Sequence, residues 1–126
     1  MTPAALKSAV LKKLQVTAAG DTDAADDIAI ITQKYTGLHQ MLLVAGLVSW
    51  SKTENVPGEA EQPVVAMLAA LAASEFSIPE PRHSRLQLEG AFNLPVGLGG
   101  PSLAERQLRK ALAQKHISSP VVSEYF

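Results

Sequence analysis

Cysteine is absent from the 126 residues of this chain, which excludes disulfides, thiolate metal sites and a cysteine nucleophile. Long apolar runs are also missing. The longest cover residues 41–48 and 64–73, whereas a membrane-spanning helix needs about 20 apolar residues. No long apolar stretch follows the first lysine, so no signal peptide is predicted. We therefore expect a protein without a membrane segment that is made in a cytoplasm.

Residues that carry chemistry are few and scattered. The three histidines, His39, His83 and His116, have no partner at metal-ligand spacing. The acidic residues at 21–27 complement the positive end of a helix dipole, and the glycines at 97–101 do not match a phosphate-binding loop. The sequence therefore predicts no enzyme, no metal site and no cofactor.

Aromatic residues are also rare: the chain has six, and two of them are Tyr125 and Phe126. Chain ends are usually frayed and polar unless something holds them in place. Pro120 favours extended backbone in the residue before it. Residues 119–126 are therefore predicted to form an extended docking tail, because aromatic anchors and backbone both contribute to binding. The side chains concerned are Val121, Val122, Tyr125 and Phe126, which either fold back on the helices of the same chain or dock into another subunit.

Apolar residues spaced three or four apart predict four helices in one domain over residues 1–118. The fold class is thus mainly α, a small four-helix bundle. Thr2 and Pro3 predict the start of the first helix, and Ser102 with Glu105 forms a capping box that starts the fourth. The third helix contains several alanines that permit close helix packing.

The second helix is predicted to begin at Asp21 or Thr22. From Met41 onward it is apolar nearly all round, which is typical of a helix end that is buried on several sides.

An insertion at 79–101 separates the last two predicted helices. Within it, about 85–98, apolar residues alternate with polar or small ones, and this period of two is the strand pattern. Pro95 excludes a central strand but allows an edge strand or an extended arm. Two interpretations stay open: an edge strand on its own domain, or an arm that adds a strand to a neighbour. The predicted arm contacts are Leu86, Leu88, Phe92, Leu94, Val96 and Leu98.

The fourth helix has a basic face that includes Arg106, Arg109 and Lys110. One interpretation is a solvated face near the negative end of the helix dipole. The other is a contact with DNA or with an acidic partner surface. The net charge of −1 means that any such contact must be local, since the chain has no general attraction to nucleic acid.

Several stretches together resemble one protein family. They are AVLKKLQV, DAADDIAIITQKYTGLHQMLLVAGLVSW, NVPGEAEQPVVAMLAALAASEFSIP, LAERQLRKAL and the final VVSEYF. In this order they are similar to the head–tail adaptor proteins of tailed bacteriophages and gene transfer agents, which are also called head completion or packaged-DNA-stabilisation proteins. Residues 79–101 match no motif of that family.

The resemblance implies a structural virion protein, made in the bacterial host cytoplasm and located at the head–tail junction. It implies a ring, commonly of twelve subunits, bound beneath the portal protein and contacting a tail or nozzle protein. Such a ring extends the channel for double-stranded DNA and stabilises the packaged DNA. The alternative function is a small helical module, such as a regulator, that binds a protein or DNA through the fourth helix.

Overall fold

The computed structural model describes residues 1–18, 20–92 and 100–117, with side chains described as far as residue 113. This part of the chain is mainly helical, and no strand occurs within it. It contains five α-helices rather than the four predicted, and a short 3₁₀-helix at Ala73–Phe76 follows the third. The α-helices are α1 Pro3–Lys13, α2 Ala25–Val44, α3 Gly58–Ala72, α4 Arg82–Gly90 and α5 Leu103–Ile117.

The helix starts predicted from capping residues are confirmed for α1 and α5. The Thr2 hydroxyl accepts a hydrogen bond of 3.1 Å from the Ala5 N–H, and the Ser102 hydroxyl accepts one of 3.3 Å from the Glu105 N–H. The predicted start of α2 is wrong, since this helix begins later, after Ala24, and has no side-chain cap. Several residues in this acidic segment could each cap a helix, so the sequence pattern did not identify the residue at which α2 begins.

Helix α3 is the centre of the fold, because it packs against α1, α2, α4 and α5. Val64 and Leu68 are completely buried, and buried alanines on the same helix let its neighbours approach closely. Pro63 lies inside α3 rather than at its start. The alanine-rich composition of α3 therefore corresponds to a central position in the bundle, as expected for helices that pack through small side chains.

The predicted β-like arm is not supported where the structure describes it. Residues 82–90 form α4, and in this helix Leu86 faces the core with only 7% of its surface exposed, while Leu88 points outward with 69% exposed. In a strand these two side chains would share one face. Residues 93–98 of the predicted arm, including Leu94, Val96 and Leu98, lie outside the described residues, as does the predicted tail at 119–126.

Tertiary contacts explain why this segment is a helix. The Gln87 side-chain amide donates a 2.7 Å hydrogen bond to the Ala70 carbonyl of α3. The Arg82 guanidinium donates one of 2.7 Å to the Leu14 carbonyl, just after α1, and Lys13 lies 2.8 Å from Glu89. These contacts link α4 to α3 and to the end of α1.

Gly90 permits the closest contact between α3 and α4. A Cβ atom placed on Gly90 would lie 2.1 Å from the Ala66 carbonyl oxygen and 2.5 Å from the Ala66 carbonyl carbon. Both atoms belong to the backbone of α3, so no side-chain rotation relieves the overlap. Glycine is therefore required where α4 ends against α3, and it allows the two backbones to meet directly.

Candidate interaction surfaces

The predicted site residues are distributed over different parts of the molecule. The tail residues Val121, Val122, Tyr125 and Phe126 lie outside the described residues. Of the predicted arm contacts, Leu86 belongs to the core, Leu88 is an exposed residue of α4, and Phe92 is half-buried just beyond the end of α4. The described part of the arm therefore supplies a core residue and surface residues, not one alternating contact strip.

The basic face of α5 is partly engaged within its own helix. Arg106 and Lys110 are exposed one turn apart. Arg109 is half-exposed, and its Nε donates a 3.2 Å hydrogen bond to the carboxylate of Glu105, which is buried. Among the side chains described for this helix, the exposed charges available to a partner are thus chiefly those of Arg106 and Lys110. Burial of Glu105 beside Ala104 and Leu108 was not evident from the sequence, which assigned it only a capping role.

The described part of the chain does not bury the apolar end of α2, contrary to the expectation for this helix end. Met41, Leu43 and Val44 expose 41, 51 and 80% of their surfaces. Large apolar side chains scattered singly on a surface are ordinary, but neighbouring ones form a patch of the kind that marks an interaction site. The sequence identified these residues as apolar, and only the structure shows that the described chain leaves them uncovered.

A groove runs from this apolar end back along α2. Its inner part is lined by Gln33, Lys34, Gly37 and Met41 of α2 and by Leu71 of α3. Its outer part is lined by Gln40, Met41, Val44 and Phe92. We call this surface the α2 groove. The groove was not predicted, because it requires the relative positions of α2, α3 and the residues that follow α4.

A buried set of polar side chains joins α2 to the segment that follows it. The Trp50 indole N–H donates a 3.1 Å hydrogen bond to the Tyr35 hydroxyl. His39 Nε2 donates one of 2.7 Å to the Trp50 carbonyl oxygen, so this ring nitrogen carries a proton. Edge-to-face contacts connect His39 with both aromatic rings. These groups bond to one another, and they hold the connector against α2.

Burial of this network predicts a pH dependence of stability. Burial raises the pKa of Tyr35 because it disfavours the phenolate, while the hydrogen bond from Trp50 acts in the opposite direction. The native state therefore keeps this proton to higher pH than the unfolded chain. The stabilising contribution is fully present below the unfolded pKa of about 10 and is lost as pH rises through the folded value.

We expect the free energy of unfolding of the wild type to fall more steeply above about pH 10 than that of Tyr35→Phe. Urea unfolding at a series of pH values measures both curves. Parallel curves for the two proteins would contradict the raised pKa.

The described residues contain neither a candidate metal site nor a helix that could span a membrane. No group of three or more His, Asp or Glu side chains is placed there to hold a metal ion. None of the described helices is both long and apolar enough to cross a membrane. Comparison with known proteins adds no relative, since no protein-family model, curated protein or solved structure matches the chain.

Proposed function

We propose that this chain is a structural virion protein that forms a ring between portal and tail, a head–tail adaptor of a tailed phage or gene transfer agent. The ring, of twelve copies, extends the channel through which double-stranded DNA passes and stabilises the packaged DNA. It binds the portal on one side and a tail or nozzle protein on the other. The protein is made in the host cytoplasm and functions at the head–tail junction of the virion.

The observation that carries this proposal is the exposed apolar end of α2. Met41, Leu43 and Val44 lie in the last turn of a helix in which Leu38 and Leu42 are buried. The helix is thus firmly anchored in the core while its end presents apolar surface to solvent. Such a surface favours a role in assembly, where other chains supply the missing burial.

Two further features agree with an adaptor. The order of sequence stretches resembles the adaptor family, and the exposed Arg106 and Lys110 on α5 provide a mild positive charge of the kind suited to a channel that DNA slides through. The docking tail proposed for residues 119–126 supplies the contact with the portal, through Val121, Val122, Tyr125 and Phe126.

Deletion of residues 121–126 is expected to abolish portal binding and to leave the helices folded. These residues follow the end of α5 at Ile117, so circular dichroism should still show the helices. Negative-stain electron microscopy of the protein mixed with the portal encoded beside it should show an added layer for the full chain. The truncated protein should show none.

The double variant Tyr125→Ala, Phe126→Ala should reproduce this loss, and Ser123→Ala, in the same segment, serves as the matched control that keeps binding. A truncated protein that joins the portal with unchanged affinity would refute the docking role of the tail. If the full-length protein stayed as small particles and left the portal unchanged, the adaptor function would be wrong. A salt-dependent affinity for DNA in that case would favour the small binding module.

A further inference from the structure

The last described helix, α5, ends on the side of the bundle where α2 ends. Leu108 and Leu112, in the second half of α5, line a small cavity together with Leu47. Leu47 comes three positions after Val44, the last residue of α2. Helix α5 continues to Ile117, about 8 Å beyond Leu112 at 1.5 Å per residue. The tail at 119–126 therefore begins in the neighbourhood of the apolar end of α2.

The length of the tail is sufficient for a contact with this end of α2. Tyr125 comes eight residues after Ile117, and eight residues of extended chain span up to about 27 Å. A tether this short gives the tail an effective concentration in the millimolar range at its own helices. In a dilute solution of the protein, the tail of the same chain therefore meets the α2 end more often than a second copy does.

The outer part of the α2 groove is suited to an uncharged, extended segment. Its described lining consists of Met41, Val44 and Phe92 with one exposed amide, that of Gln40, and includes no charged side chain. Apolar side chains of an extended peptide bind in such grooves, and an amide both donates to and accepts from a peptide backbone or a tyrosine hydroxyl.

The tail presents its apolar side chains in a matching way. In the extended backbone predicted for it, alternate residues share a face, so Val121 and Tyr125 lie on one face and Glu124 lies on the other. The tail can thus place a valine and a tyrosine against the groove while its carboxylate stays in water.

We propose that, in the unassembled protein, the tail of the same chain covers the apolar end of α2, with Val121 and Tyr125 against Met41 and Val44. The tail contact itself does not depend on the portal. Its consequence rests on the proposed function, because the portal competes for the same tail residues. When the tail moves to the portal, the end of α2 is uncovered, and its apolar surface becomes available to other chains only at that point.

Methyl NMR of the full chain, labelled with ¹³C at its methionine methyl groups, tests this contact. Met41 exposes 41% of its surface, whereas Met67 is buried, and Met41→Leu identifies the Met41 signal. The wild type should show a nuclear Overhauser effect between the Met41 methyl group and the Tyr125 ring. Tyr125→Ala should remove this effect and shift the Met41 signal, with unchanged circular dichroism. Glu124→Ala, on the opposite face of the tail, is the matched control and should leave both unchanged.

Val44→Gln tests the other side of the contact. Val44 is 80% exposed, so the helices should stay folded. The effect between the Met41 methyl group and the Tyr125 ring should be lost, as in Tyr125→Ala. Addition of the portal to the wild type should also abolish it, and an effect that persists in the portal complex would contradict the competition.

Two results would overturn the tail contact. A Met41 signal that does not respond to Tyr125→Ala would show that the tail does not cover the end of α2. A contact that weakens on dilution would assign the groove to a second copy, because a contact within one chain is independent of protein concentration. Since these measurements on the free chain contain no portal, failure of portal binding would refute the proposed function and leave the tail contact standing.

Discussion

Gly90→Ala is expected to lower the free energy of unfolding by roughly 3 kcal/mol, at the upper end of the usual cost of overpacking. The added methyl group would lie 2.1 Å from the Ala66 carbonyl oxygen, and neither backbone can move without its helix. The end of α4 must therefore shift away from α3. That shift also strains the hydrogen bond from Gln87 to the Ala70 carbonyl and exposes Leu86.

Urea unfolding followed by circular dichroism measures this loss. Gly37→Ala and Gly58→Ala are the matched controls, because the same methyl group meets no atom within 4 Å at either position. Gly37→Ala should instead gain about 0.5–1 kcal/mol, since alanine is the better residue in a helix interior. An unfolding midpoint of Gly90→Ala equal to that of the wild type would show that α3 and α4 are not in direct backbone contact.

Trp50→Ala is expected to cost about 3–5 kcal/mol, as large aromatic truncations in a core do. Trp50 is 9% exposed, and it joins the segment after α2 to the Tyr35 hydroxyl through its indole N–H. Removing the ring leaves a cavity and takes the hydrogen-bond donor away from Tyr35.

Trp50→Phe separates the two contributions. Phenylalanine keeps most of the buried aromatic surface and lacks the N–H, so we expect a loss of about 1 kcal/mol. Circular dichroism is the appropriate probe, since Trp50 is the only tryptophan and its fluorescence disappears in both variants. Leu88→Ala, at an exposed apolar residue, should change stability by less than about 0.5 kcal/mol. If Trp50→Ala cost no more than Trp50→Phe, burial of the ring would not stabilise the connector.

Local signals in the sequence predicted much of the bundle correctly. Thr2 and Ser102 cap their helices through hydrogen bonds to residues three positions later, so both caps can be recognised from the sequence alone. In the second helix, apolar residues spaced three or four apart run from Ile28 to Ala45. Of these, Ile31, Tyr35, Leu38 and Leu42 are buried, Ile28 is half-buried and Ala45 is exposed. Such features depend on helix geometry alone, which repeats every 3.6 residues.

Helix α4 shows why the arm was predicted wrongly. A helix of nine residues is not stable by itself in water, so its formation depends on what it packs against. Leu86 and Leu88 fit the alternation of a strand, yet contacts of Arg82, Gln87 and Gly90 with distant residues make the helix the better solution. The partners of Arg82 and Gln87 lie 68 and 17 positions away in the sequence. A helix or strand periodicity describes only neighbouring residues, so it cannot reveal such contacts.

The candidate surfaces also combine local features that the sequence predicts with features that only the tertiary structure determines. Composition and helix periodicity by themselves determined a cysteine-free, mainly helical chain with an apolar end to its second helix, because these properties are local. Tertiary structure alone decided that the described helices leave this end exposed, that Gly37 opens a groove beside Leu71, and that Leu88 points outward while Leu86 is buried. Exposure is a relation between distant segments, and it exists only once α2, α3 and α4 have packed together.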